Sequence, residues 1–240
     1  MSGRFTHYVC AALLLTLASC AEEYKIAGKS TVPVLDGKVL TLRSASTSGA
    51  GQVDLDSCMV IHGKFSFYGD VDTVCMAQIY MGGETIMPLV IETGDLHVSL
   101  DNLGQRVSGG PMNNRLYKYI NQQRRLYNEW NDLQSQYIQL VMSGTPPGAI
   151  QRKLDAKFRK NAQKSEELET KFIIDNADNV LGPGCFKMLC DQYPFPVLTD
   201  QINTILTSVP AAFLQDPYVR NYIRQARLNP QSRPCKLPVR

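Results

Sequence analysis

The chain changes its period once, and that change limits what it can fold into. Up to about residue 108 apolar residues alternate with polar ones in short runs. From Met112 they recur every three or four positions for about thirty residues, with Gly109-Gly110-Pro111 between the two regimes. A period of two belongs to strands with one buried face, and spacings of three and four belong to amphipathic helix. An α+β fold is expected, with strands first and helices after.

In the first part, Tyr24-Lys25-Ile26-Ala27-Gly28 and VLTLRS at 39–44 alternate. DSCMVIHGKFSFYG, from Asp56 to Gly69, reads as two strands about His62-Gly63, where glycine supplies a positive φ without steric cost and predicts a tight hairpin. Phe65 and Phe67 should then share the buried face, with Lys64, Ser66 and Tyr68 on the other. Further runs at 74–81, 85–92 and 95–101 are separated by Gly82-Gly83 and Thr93-Gly94. Short strands at this regular spacing predict an antiparallel β-sandwich or open barrel over residues 24–110. Pro88 cannot donate to a ladder and should mark an edge strand or a bulge. His97 alternates with Leu96, Val98 and Leu100 and should face solvent, as should His62 in its turn.

The helical part opens with Pro111, suited to a first turn, and carries Leu116, Tyr119, Ile120, Leu126, Trp130, Leu133, Tyr137, Leu140 and Val141 on one stripe. It should stop at Ser143-Gly144-Thr145-Pro146-Pro147. A second helix to Asn176 has Ile150, Leu154, Phe158, Ala162, Leu168 and Phe172 in register, so residues 111–176 are expected to form a long helical hairpin. Its opposite face holds Arg152, Lys153, Lys157, Arg159, Lys160 and Lys164, followed by Glu166, Glu167 and Glu169, and reads as a solvated face of mixed charge. Tyr119, Tyr127, Trp130 and Tyr137 are expected to pack on the partner helix rather than to stack sugars or bases. Shorter C-terminal helices fill 177–228: a helical CFKMLCDQY follows Asn179-Val180-Leu181-Gly182-Pro183-Gly184, and Thr199 reads as an N-cap. Residues 229–240 form a proline-broken basic tail, expected to be mobile.

The N-terminus carries an address. Arg4 precedes an apolar run from Tyr8 to Ser19, which as a helix would rise about 18 Å, short of the roughly 30 Å of a hydrocarbon core. Residues 1–19 therefore read as a removable signal peptide. Its end, Leu17-Ala18-Ser19-Cys20, resembles the lipobox of bacterial lipoproteins. The resemblance implies that the Cys20 thiol is diacylated, the leader cut before it, and the new amine usually acylated as well; two or three acyl chains together anchor stably. Ala21 stands where an inner-membrane retention aspartate would be. Residues 20–23, with Glu22 and Glu23, resemble the acidic tether of Gram-negative lipoproteins sent to the outer-membrane surface. The expected location is the cell envelope, lipid-anchored at the outer membrane, on its periplasmic or surface face.

A formal charge of +3, which becomes +2 once Arg4 leaves with the leader, is too near neutral to argue for nucleic acid. Of seven cysteines Cys10 leaves with the leader and Cys20 takes lipid, so Cys58, Cys75, Cys185, Cys190 and Cys235 remain. Five is odd, so in an exported monomer at least one thiol is unpaired or modified. Cys185 and Cys190 lie five apart, no C-x-x-C occurs, and no spacing suits zinc, so neither cofactor nor metal is expected. A structural or incidental role for this pair is the simpler reading, and a redox or metal role is the other. There is no G-x-S-x-G or H-E-x-x-H, and only His62 and His97 follow the leader. Asp54 and Asp56 read as strand-edge residues on a solvated face.

The segments EYKIAGK, DSCMVIHGKFSFYGDVD, LVIETGDLHVSLD and VSGGPMNNRLYKYI resemble an N-terminal domain-of-unknown-function family found on lipoproteins of certain gut Gram-negative bacteria. The resemblance spans roughly residues 24–228 and is best in the first hundred. In that family the β domain precedes a helical connector and usually a thioredoxin-like, peroxiredoxin-type thiol-disulfide oxidoreductase domain. It brings no catalytic residue to this chain. The 240 residues hold no W-C-x-x-C active site, and Trp130 has no cysteine beside it. The expected function is that of a noncatalytic, lipid-anchored envelope protein that binds a partner protein or ligand. The alternative is an accessory of an envelope thiol-disulfide system, acting through Cys185, Cys190 or Cys235.

Overall fold

The computed structural model describes residues 23–45 and 51–229. Residues 1–22, with Cys20 and the segment read as a signal peptide, and the tail from residue 230 with Cys235 lie outside the described residues. Eight strands run β1 (Glu23–Ser30), β2 (Val39–Ala45), β3 (Gln52–Met59), β4 (Lys64–Asp70), β5 (Cys75–Met81), β6 (Glu84–Ile91), β7 (Gly94–Asp101) and β8 (Gly104–Ser108). They form two four-stranded sheets, ordered β4-β1-β7-β8 and β3-β2-β5-β6. The expected α+β class holds, with helices α1 (Pro111–Met142), α2 (Pro147–Asp175), α3 (Leu181–Cys190), α4 (Asp200–Ser208), α5 (Ala211–Leu214) and α6 (Pro217–Leu228) after the strands.

Alternation decides the buried face of each sheet. Ile26, Phe67, Leu96 and Val98 from one and Leu40, Leu42, Ile79 and Leu89 from the other fill the space between them. His97 and His62 are exposed as expected. Gly28 lies under the Phe65 ring, where a Cβ would have no room.

Three features differ from the simplest reading of the strands. First, β1 pairs with β7 in parallel, while every other neighbouring pair is antiparallel. A parallel pair needs a long crossover, and here the crossover includes the whole second sheet. Second, the His62-Gly63 turn is tight, with both residues at positive φ (51° and 68°), but it closes a single Ile61–Lys64 bridge. Beyond it β3 leaves to pair with β2 and β4 with β1, so the turn is a corner between sheets rather than the tip of an extended hairpin. At the splayed end the Asp56 carboxylate accepts the Tyr68 N–H at 3.0 Å. Third, GQRVS forms β8, a strand the pattern did not signal because only Val107 in it is buried. Pro88 meets both expectations at once: β6 is an edge strand, and its register against β5 shifts two residues away.

The opening between edges β6 and β8 is closed by α1. Val90 N–H donates to Asn113 Oδ1 at 2.9 Å and Asn113 Nδ2 returns a bond to Val90 O at 2.8 Å, so the side-chain amide acts as one residue of a missing strand. Arg124 donates to the Leu103 and Gln105 carbonyls beside β8. Buried Glu92 accepts from Met112 N (3.2 Å), Asn113 N (2.8 Å) and Asn113 Nδ2 (2.9 Å). A helix start leaves N–H groups without intrahelical partners and carries partial positive charge, and a carboxylate answers both.

In the hairpin, Tyr119 stacks on Phe172 with centroids 4.1 Å apart, and Trp130 meets Phe158 edge-on at 4.9 Å. Tyr127 and Tyr137, expected on the same seam, are instead 64% and 46% exposed. Ala162 is likewise exposed, and Asn161 takes the buried position, donating to Leu126 O at 3.1 Å. The drift of a 3.6-residue turn against a four-residue spacing carries position 162 off the seam after Leu154 and Phe158.

The C-terminal helices pack on the base of the hairpin and on the second sheet. Helix α3 begins at Leu181, so Gly182-Pro183-Gly184 lies within its first turn rather than before it. Proline is tolerated there because its missing N–H would have had no partner. A Cβ on Gly182 would collide with the Asn176 carbonyl, and one on Gly184 with the Met76 side chain of β5. The glycines therefore permit close approach. Thr199 caps α4 as expected, accepting Ile202 N at 3.2 Å. Phe186 is the centre of this region, edge-on to Phe213 and Tyr222, and one continuous core runs from Tyr24 to Ala226. Among the described residues no helix is long and apolar enough to cross a membrane.

Candidate functional site

Where the outer face of the second sheet meets α3, α5 and α6, the two surfaces leave a crevice of about 620 Å³. Its floor and walls are largely apolar, including Met76, Val180, Met188 and Phe213. Volumes of some 300–1,000 Å³ with few convergent polar groups are typical of ligand sites. Gly184, which also lines the crevice, lets α3 pack directly on the Met76 side chain of β5.

The polar groups at the rim are held in place on both sides. On the sheet, Arg43 Nε bonds Asp54 at 2.5 Å and its guanidinium lies 4.9 Å from the Tyr80 ring centroid. The Tyr80 hydroxyl donates to Gln78 Oε1 and accepts from Gln52 Nε2, each at 2.5 Å. On the helices, Lys187 bonds Asp191 at 2.5 Å and sits 5.0 Å from the Tyr218 ring centroid, while the Tyr218 hydroxyl donates to Asp191 Oδ1 at 3.3 Å. Burial first, then the neighbouring Cys190 and Asp191, drive the Tyr218 phenol well above its usual pKa, so it remains a donor. Each rim cation already has its carboxylate. Asp178 and Asp216 also line the crevice, bonded to Asn179 Nδ2 and to the Tyr218 and Val219 N–H groups rather than to a cation, so the arrangement suits a ligand without negative charge, with amide or hydroxyl groups for Gln52, Gln78 and Tyr218 to meet.

Among the described residues no group of three His, Cys, Asp or Glu side chains could hold a metal ion. Cys185 and Cys190 are both on α3, buried and free. Five residues apart on a helix places them about 140° apart around its axis. Burial, and secondarily the Glu169 carboxylate, pushes the Cys185 thiol from 9.0 to about 12. Burial likewise takes Cys190 from 9.0 to about 12, against the opposing pull of the Tyr222 hydroxyl and the Lys187 ammonium. The thiolate is the nucleophile in exchange, and a pKa near 12 leaves roughly one thiol in 10⁵ ionised at pH 7. Cys58 and Cys75 are half-buried and free, with burial raising both thiols; Cys75 lines the crevice.

An alkaline titration checks this environment. Each folded-state pKa lies above the unfolded one, so the contribution of the protonated thiols is complete below about pH 9 and is lost as pH rises towards 12. Stability is expected to decline across that window and to decline less in a Cys185→Ala, Cys190→Ala variant. At pH 8, an aromatic disulfide reagent should modify Cys185 and Cys190 only as fast as the protein unfolds. Rapid modification of either would contradict their burial.

The sequence named Cys75 and the segment Asn179 to Gly184, which contribute to the crevice lining, but did not signal a site there. The nearest signal was Gly182-Pro183-Gly184, whose small residues announce close packing once they are placed inside a helix. Cys20 and Cys235 lie outside the described residues.

Residues 24–116 match the family described as Domain of unknown function (DUF4369). The match opens in β1 and closes in the first turns of α1, so it takes in both sheets and the Glu92–Asn113 joint. It includes the sheet wall of the crevice and leaves out the helical wall. No curated protein matches the chain.

Proposed function

We propose that this protein is a noncatalytic binding module of the cell envelope, lipid-anchored through Cys20 at the outer membrane, whose crevice between the second sheet and the C-terminal helices receives a small ligand or a segment of a partner protein. The crevice carries this reading. It is apolar inside, its rim hydrogen bonds are preset by Tyr80 and Asp191, and its cations Arg43 and Lys187 are each paired in place. Such an arrangement favours binding through shape and a few directed bonds. A redox accessory acting through Cys185 or Cys190 would need an exposed, ionised thiol, and burial opposes both conditions.

Methionine methyl resonances provide the test, because Met76 and Met188 line the crevice whereas Met87 lies in the core and Met142 at the hairpin tip. A library of neutral amphipathic fragments is expected to include members that shift Met76 and Met188 together and leave Met87 and Met142 in place. A library that moves neither crevice methyl would defeat the proposal.

A further inference from the structure

The outer face of the first sheet has a second depression, of about 890 Å³, on the opposite side of the strands from their buried residues. The strand registers place its side chains in rows. One row crosses the sheet as Lys64, Lys29, Ser99 and Arg106; the next is Ser66, Ala27, His97 and Ser108. With strands about 4.8 Å apart, the first row spans roughly 14 Å. All eight side chains are exposed or half-buried, and the small residues of the second row make the floor. Met59 and Ile61, 53% and 60% exposed, line one side, and Asn121 of α1 lies at the other.

The cations here are not all paired as Arg43 and Lys187 are in the crevice. Arg106 is paired with Asp101. Lys29 and Lys64 are directly opposite on adjacent strands, and neither has an ion pair among the described residues. Like charges facing each other across a ladder destabilise it, and an anion between them would reverse the sign of that interaction. A phosphate group suits the place better than a single carboxylate, because its several oxygens can accept from both ammonium groups and from the Ser66 and Ser99 hydroxyls together. The exposed Met59 and Ile61 offer an adjoining apolar surface.

We propose that this trough binds the phosphate group of an amphiphile, with Lys29 and Lys64 holding the anion and Met59 and Ile61 covering the start of the apolar part. The site is separate from the crevice and does not depend on it.

The test uses the full chain carrying Cys20→Ser, so that no acyl anchor contributes. Two probes are titrated: sodium pyrophosphate, and vesicles of phosphatidylglycerol compared with phosphatidylcholine. Preference for phosphatidylglycerol over phosphatidylcholine is expected. Saturable pyrophosphate binding without that preference would show a site for free phosphates and overturn the amphiphile. Each of Lys29→Gln and Lys64→Gln should weaken binding by about tenfold or more, as loss of a charged hydrogen bond does. Because each also removes the like-charge opposition, the thermal midpoint without ligand should stay level or rise. The pair Lys153→Gln, Lys157→Gln on the exposed face of α2 should leave binding unchanged. Absence of the phosphatidylglycerol preference, an equal loss in the α2 variant, or a lowered midpoint in both trough variants would likewise overturn the proposal.

Discussion

Glu92→Ala is expected to destabilise the protein by about 3 kcal/mol, because it strips the acceptor from buried donors at the start of a long helix. Glu92 is 6% exposed and accepts from the N–H groups of Met112 and Asn113 and from the Asn113 amide. No side chain caps α1 at Gly110, so no local group replaces it. The same Asn113 amide closes the β6 edge at Val90, so loss of Glu92 loosens the sheet–helix joint as well as the helix end. For a chain of this size about 3 kcal/mol corresponds to a fall in thermal midpoint of roughly 6–12 °C. Glu92→Gln should fall between the two: its oxygen can still accept from Asn113, while its NH₂ would face the Met112 N–H donor. Circular dichroism melts of the three proteins give the values. A loss under about 1 kcal/mol for Glu92→Ala would mean that water replaces the carboxylate and that the joint is not dry.

The second large effect concerns location. Cys20→Ala should move the protein from the membrane fraction to the soluble envelope fraction, with no radiolabelled or alkyne palmitate incorporated. One acyl chain gives only marginal binding, and two or three make it stable, so removing the attachment sulfur should lower the membrane-bound fraction by on the order of 100-fold. The trough on the first sheet could hold back some of the protein if anionic lipid is its ligand, and the same variant carrying Lys29→Gln would release that part. Membrane association that survives in the double variant would count against the anchor.

The sequence was most legible where burial follows a local period. Phe65 and Phe67 on the inner face, His97 on the outer, and the break at Ser143 to Pro146 all depend on residues within a few positions of one another. The same reasoning fails where the decisive partner is distant. Glu92 reads as an ordinary polar residue ending a strand until α1 places the amides of Met112 and Asn113 against it. Gly182 and Gly184 read as turn residues until Asn176 and Met76 are seen to occupy the space their side chains would need. His62-Gly63 encodes a tight turn correctly, but whether its strands pair further is decided by competition from β2 and β1. Both candidate sites belong to this second kind. The trough joins Lys29, Lys64, Ser99 and Arg106 from four strands, and the crevice joins β2 and β5 to helices more than a hundred residues away.

By itself the sequence determined that strands precede helices and the buried face of most elements, since each is set by short-range stereochemistry. The parallel β1–β7 pair, the closing of the β6 and β8 edges by α1, and the two depressions were decided only in tertiary structure. Their energies lie in hydrogen bonds and contacts between residues far apart in the chain, and no local pattern records which distant partner wins.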